Sequence, residues 1–307
     1  VDTKLPFKND SLKISISRGA LIDSGRDGRD IPYKLYMPSG GEDKKPLIVW
    51  SHGLGGGRDG AGFIARFLAE QDFAVLHIQH RGTDTSLWEG KAGHPWDIIR
   101  RTEIPRSASL DRFRDVPFVL DNLQDIEGHE QFDLSNIGMS GHSFGALTTQ
   151  VMAGQYFPDE NNVLKQMAEQ RFKAGILYSF VPMGHLYQGK QEELFSSIDL
   201  PLLFMTGTAD DSPVENFDYT YRLPVWEHAG SDEKYLLTLE DGDHMVYNGS
   251  RGKLEDNPKR DIHEQIINDI SLAFWKMKLK GDEKAENWLK GKGIQDYLAN
   301  EAEFLKD

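Results

Sequence analysis

Ser143 lies in Gly141-His142-Ser143-Phe144-Gly145, the glycine spacing of a serine presented on a sharp turn. A serine hydroxyl is almost wholly protonated at neutral pH and needs a base to become a nucleophile. Two later segments can supply one. Gly207-Thr-Ala-Asp-Asp-Ser-Pro213 carries Asp210 and Asp211, and Glu240-Asp-Gly-Asp-His-Met245 carries His244. In that chain order, His244 would take the Ser143 proton and return it to a leaving group. The aspartate would hold the imidazole tautomer. Asp210 is preferred to Asp211 because it stands three residues after the turn glycine, with Pro213 closing the loop. His185 precedes the acid, His228 precedes the last strand, His263 lies within an amphipathic stretch, and His52 comes too early, so none fits the final position. Acyl transfer also needs donors for an oxyanion. Trp50-Ser-His-Gly-Leu-Gly-Gly-Gly57 is rich in approachable backbone N–H groups, and the Leu54 and Phe144 N–H groups are the expected pair.

These segments do chemistry only if the chain brings them to one place. Leu12–Ser17 and Ile31–Met37 alternate around a turn at Asp23–Asp30, which predicts an antiparallel edge hairpin. After it come short, nearly continuous apolar runs at Leu47–Trp50, Phe73–Ile78, Ile137–Met139, Ala174–Tyr178, Leu202–Met205 and Tyr235–Leu239. Such runs suit parallel strands covered on both faces. Helical periodicity fills the gaps near 62–70, 110–124, 144–154, 214–222 and 259–279. The expected fold class is therefore α/β, a mainly parallel sheet with an antiparallel edge hairpin and helices on both faces. Every loop after a parallel strand then emerges at one edge, where ligands bind. Ser143 follows one such strand at the start of a helix, and Leu54, Asp210 and His244 follow three others. No repeat or low-complexity linker divides the chain, so 1–307 reads as one domain.

On Gly141–Gly145, His52-Gly-Leu-Gly55, Gly207–Pro213 and Asp243-His-Met-Val246, the chain resembles the α/β-hydrolase superfamily. It is most similar there to the bacterial group called predicted dienelactone hydrolases and to the related platelet-activating-factor acetylhydrolases. The resemblance runs from about residue 30 to about 290. It implies an α/β-hydrolase fold, a Ser143/Asp210/His244 triad, a Leu54/Phe144 oxyanion hole and hydrolysis of carboxylic esters without a cofactor. Two departures limit what transfers. Dienelactone hydrolases proper use a cysteine nucleophile, and this chain has no cysteine. The plasma acetylhydrolase takes its acid after an earlier strand, which here reads Ser179-Phe-Val-Pro-Met183.

The stretch 82–109 should lie over the active edge as a partial cap, with Trp88 or Trp96 as a pocket wall or as an anchor to the body. Met183 and Met245, with Phe180, Tyr187 and Tyr247, could complete an apolar pocket. Arg114 and Asp115 read as a structural ion-pair site, and 282–307 as a helical tail packing on the body or on a second subunit. The formal net charge of −14 and the lack of a Lys/Arg cluster argue against nucleic acid. No apolar run approaches a membrane span, and the acidic turns lack metal-loop spacing. The start at Val1 is compatible with a processed signal peptide, hence a periplasmic or secreted protein. Expected is a hydrolase of small or short-chain esters, so the partner is a small-molecule ester. An amidase or peptidase with the same triad is the alternative, and a non-catalytic binding protein the third reading.

Overall fold

In the computed structural model, residues 5–40, 43–249 and 256–307 are described. The chain runs β1 (Ile14–Asp23), β2 (Arg29–Pro38), β3 (Lys45–Ser51), α1 (Gly62–Glu70), β4 (Ala74–Ile78), α2 (Pro95–Arg101) and α3 (Arg106–Asp121). It continues through β5 (Phe132–His142), α4 (Phe144–Met152), β6 (Tyr156–Pro158), β7 (Leu164–Gln166), β8 (Phe172–Tyr178) and α5 (Glu192–Phe195). Then come β9 (Leu202–Ala209), α6 (Leu223–His228), β10 (Lys234–Asp243), α7 (Arg260–Lys280), α8 (Glu283–Lys290), α9 (Lys292–Leu298) and β11 (Ala302–Lys306).

Nine strands form one sheet in the order β1-β2-β4-β3-β5-β8-β9-β10-β11. The strands from β4 to β10 are mutually parallel. The β1–β2 hairpin joins β4 antiparallel at one edge, and β11 joins β10 antiparallel at the other. Alternate residues of each strand feed two cores. Leu47 and Val49 of β3 face one core with α3 and α4, while Ile48 and Trp50 face the other with α1 and α7. Burial on both faces is why these strands read as unbroken apolar runs instead of alternating ones.

Two expected boundaries change. Residues 214–222 are not a helix: a single 3-10 turn at Tyr219–Tyr221 leads into α6, whose Pro224 suits a first-turn position. The 282–307 tail is helical only to Leu298. Its end becomes β11, which takes up hydrogen bonds that the outer edge of β10 would otherwise leave unpaired. The apolar spacing changes with it, because a strand alternates sides: Phe304 is buried and Leu305 is exposed. Phe304 stacks on Tyr235 with ring centroids 5.8 Å apart. Phe304→Ala is therefore expected to cost about 3 kcal/mol of stability by urea unfolding. Reactivity at the distant sheet edge should stay unchanged.

Candidate active site

The turn between β5 and α4 is sterically tight. A Cβ on Gly145 would lie 1.8 Å from the Ser51 carbonyl oxygen, and one on Gly141 would lie 2.3 Å from the Gly145 carbonyl oxygen. Only hydrogen fits at either position. Ser143, between them, takes φ 55° and ψ −112°, a conformation that a non-glycine residue adopts only under tertiary constraint. Its N–H donates to the Tyr178 carbonyl at 3.0 Å, which pins the turn to β8. The hydroxyl projects at the start of α4, where the helix field favours negative charge.

The loops after β9 and β10 meet this serine. Ser143 Oγ lies 2.9 Å from His244 Nε2, and His244 Nδ1 lies 2.8 Å from Asp210 Oδ1. Asp210 is completely buried, whereas Asp211 is exposed. Thr206 Oγ also donates to the Asp210 carboxylate, at 2.8 Å. Burial works to raise the Asp210 carboxyl, but Arg222 and the donors around it hold it below the usual carboxylate range. Burial also depresses His244, against the pull of Asp210, so its imidazole is neutral and Nε2 can accept the serine proton. His142 braces this arrangement. Its Nε2–H donates to the His244 carbonyl at 2.6 Å, and its ring packs 4.8 Å from the His244 ring.

The loop beside the serine turn is supported from beneath. Leu54 and Phe144 present backbone N–H groups that carry no intramolecular hydrogen bond among the described residues. The Gly53–Gly57 loop is tied down by Gly55 N–H to the Thr83 carbonyl at 2.8 Å and by Trp88 Nε1–H to the Gly55 carbonyl at 2.7 Å. Below it Arg112, fully buried, donates to the His52 carbonyl and to Ser51 Oγ. The same guanidinium lies 4.2 Å from the Phe144 ring centroid, so one side chain supports both arms.

Ser51, His80 and Asp115 form a second chain with triad spacing. Ser51 Oγ is 2.7 Å from His80 Nε2, and His80 Nδ1 is 2.9 Å from Asp115 Oδ2. All three are shut away from solvent, so no substrate reaches them. Asp115 also takes bonds from Arg26 and Arg29, and these are its ion-pair partners. Arg114, expected there, is exposed and reaches only Asp111, because one helical residue step turns it to solvent.

The serine opens on a cavity of about 760 Å³. Trp88, Trp96, Ile99, Val214 and Met245 contribute apolar surface to it, Arg58, Asp59, Arg81 and Glu89 charged groups, and the Gly53–Gly57 loop part of its lining. Trp88 is both wall and anchor. The 82–109 stretch contributes Trp88, Trp96 and Ile99, and Arg100 Nε joins it to the Pro213 carbonyl at 2.7 Å. Met183 does not line the cavity. It is buried in the core with Phe180, since the chain turns inward after β8. Tyr187 and Tyr247 also lie outside the cavity lining. Tyr247 packs instead against His142 and Tyr178, and the Tyr187 hydroxyl donates to Glu193. His228 and His263 are remote from the serine, at the end of α6 and beside the Glu240 carbonyl, and the His185 side chain lies outside the described residues. Residue-type reasoning singled out none of His142, Arg112, Ser179 and Arg222. Their only sequence signal is a polar side chain within or beside an apolar run.

Among the described residues no cluster of three or more His, Cys, Asp or Glu side chains is placed to hold a metal ion. Nor is any described helix long and apolar enough to cross a membrane.

Acid should destabilise this molecule strongly. Burial, the first cause in each case, lowers His77 and His142 to about 3 and His80 to about 4, and holds His52 well below its usual value. In the unfolded chain each binds a proton near pH 6.5, so stability is complete above that pH and is lost as pH falls below it. The expected slope is about 1.4 kcal/mol per pH unit for each histidine. Urea midpoints between pH 7 and pH 5 measure it, and a flat profile contradicts neutral burial. Gly145→Ala should yield no folded protein by circular dichroism, whereas Ser143→Ala should melt close to the wild type.

No protein-family model matches the chain. Sequence similarity is found to platelet-activating factor acetylhydrolase from Canis lupus familiaris, at 25% identity over 325 residues, covering 86% of this chain and 66% of that protein. The Cavia porcellus acetylhydrolase is 24% identical, covering 84% of this chain and 63% of its own length. The chain thus spans just under two thirds of these relatives. Among solved structures, a ferulic acid esterase from Streptomyces cinnamoneus superposes with a TM-score of 0.62, at 17% identity and 92% coverage of both chains. That likeness establishes the fold. The strand order, the serine turn and this superposition give the chain an α/β-hydrolase fold.

Proposed function

We propose that the chain is a carboxylic-ester hydrolase acting through an acyl-enzyme on Ser143. The observation that carries this reading is the continuous Ser143–His244–Asp210 hydrogen-bond chain opening onto a cavity. His244 Nε2 takes the Ser143 proton as Oγ adds to the ester carbonyl carbon. The negative charge moves to the carbonyl oxygen, to which the Leu54 and Phe144 N–H groups donate hydrogen bonds. The tetrahedral intermediate collapses and His244 gives its proton to the departing alcohol. Water then repeats the sequence in reverse roles, freeing the acid and restoring the serine. Asp210 keeps the Nδ1 proton in place and stabilises the imidazolium at each turn.

The preference for esters is supported by the relatives' names, an acetylhydrolase and an esterase. The apolar surface that Trp88, Trp96, Ile99 and Met245 give the cavity supports a small acyl group as the part of the substrate bound there. With p-nitrophenyl esters of graded length, kcat/KM should be greatest for the short acyl chains. It should far exceed that for the matched anilide; equal rates would favour the amidase alternative.

A fluorophosphonate should place its adduct on Ser143 and leave the buried Ser51 unmodified. Ser143→Ala should lower kcat by about 10⁴-fold or more, and Asp210→Asn by about 10⁴-fold. Ester hydrolysis that persists in an unlabelled or Ser143→Ala protein would overturn the assignment.

A further inference from the structure

Asp210 and His244 do not sit alone in their pocket. Arg222, which opens α6, is as deeply buried as they are. Its guanidinium has three separate anchors. Nε donates to the Asp210 backbone carbonyl at 3.2 Å, Nη1 to the Phe180 carbonyl at 3.0 Å, and Nη2 lies 3.2 Å from Asp210 Oδ1. Phe217 packs 5.1 Å from its centre. These contacts leave Nη2 only 3.3 Å from His244 Nδ1. Both atoms carry hydrogen when His244 donates to Asp210, so this approach is not a hydrogen bond. A guanidinium cation is held against the ring that must gain and lose a positive charge.

Ser179 completes the enclosure. Its backbone sits at φ 60°, held there by its N–H bond to the Met205 carbonyl at 2.8 Å. The hydroxyl donates to the Asp210 carboxylate, at 3.0 and 2.8 Å from the two oxygens, and lies 2.9 Å from His244 Nδ1. With Thr206, Ser179, Arg222 and His244 all donating, the carboxylate has no freedom to rotate away from the imidazole.

We infer that Arg222 is a positioning residue of the proposed ester-hydrolysing site, fixing Asp210 while keeping His244 a free base into mildly acidic solution. The inference rests on that reading only for its catalytic meaning; the effect on His244 stands apart from it. Asp210 by itself would favour the imidazolium, and the adjacent guanidinium opposes it. The other groups facing His244 are Asp243, on the same strand end, and His142, whose ring burial keeps neutral. Arg222 also acts on His142, but burial is the first cause there, so that ring stays neutral when Arg222 is replaced. The device has a cost, because the cation also weakens the field with which Asp210 stabilises the imidazolium formed during the reaction.

The test is the His244 titration by ¹⁵N-histidine NMR in the Ser143→Ala background, alongside pH profiles of kcat/KM in proteins that retain Ser143. Arg222→Met should raise the His244 midpoint by about one pH unit and move the acidic limb up equally. At a pH below both midpoints this is about a tenfold loss beyond any loss at pH 8. Arg222→Lys keeps the charge and should leave both in place while lowering kcat. Should the Met variant fail to fold, Arg222→Gln carries the same expectation. An unchanged midpoint in the neutral variants, with activity reduced by one factor at every pH, overturns the inference and leaves a purely structural arginine. A raised midpoint in Arg222→Lys overturns it as well. Loss of Ser143-dependent hydrolysis in the wild type would instead sink the ester-hydrolase reading and leave the titration result standing.

Discussion

The contact on which the site depends is between backbone atoms: the first turn of α4 lies against the Ser51 carbonyl at the end of β3. Hydrogen at positions 141 and 145 permits it, and nothing larger would. This approach bends the chain sharply after β5 and forces Ser143 into its unusual conformation. It also brings the Leu54 loop beside the serine turn, with Gly53 against the His142 carbonyl and the Ser143 side chain. Strain of this kind costs of order 1–3 kcal/mol and persists only where surrounding structure over-determines it. Here two cores on opposite faces of a nine-stranded sheet supply that constraint.

Around the turn the fold places two buried polar networks with different outcomes. Ser51, His80 and Asp115 reproduce the distances of a serine–histidine–acid chain, yet they are closed over by α3 and the hairpin. Ser143, His244 and Asp210 have the same distances and an open cavity. Spacing therefore does not distinguish an accessible chain from a sealed one. Access to the cavity does. The first network still serves the second, since Arg112 links Ser51 and the His52 carbonyl to the ring of Phe144. Buried polar groups of this sort are costly unless fully partnered, and here they tie down the chain that leads from β3 into the Leu54 loop.

Much of this architecture is legible in the chain itself. Parallel strands announce themselves as short apolar runs, and the serine turn by its two glycines, because both signals come from neighbours within a few residues. The order of serine, aspartates and histidine along successive strands is equally local. The errors fall where a residue's surroundings come from distant segments. Met183 carries the composition of a pocket residue but follows a chain that turns into the core. Arg114 adjoins Asp115 in sequence but faces the other way, and Arg26 and Arg29 arrive from the hairpin to pair that carboxylate. The end of the tail shows helix-like spacing but meets the outer edge of β10, and an open edge selects a strand.

By itself, then, the sequence determined the fold class, the serine turn and the set of loops that share one sheet edge. Those follow from short-range sterics and the periodicity of burial. Tertiary structure alone decided that Asp210 faces His244 while Asp211 faces solvent. It alone brought Ser179 and Arg222 against that pair, and put Arg112 between the His52 carbonyl and the Phe144 ring. The reason is physical: desolvation and charge act through space on groups that lie 12 to more than 60 positions apart in the chain. No local pattern records which of them will meet.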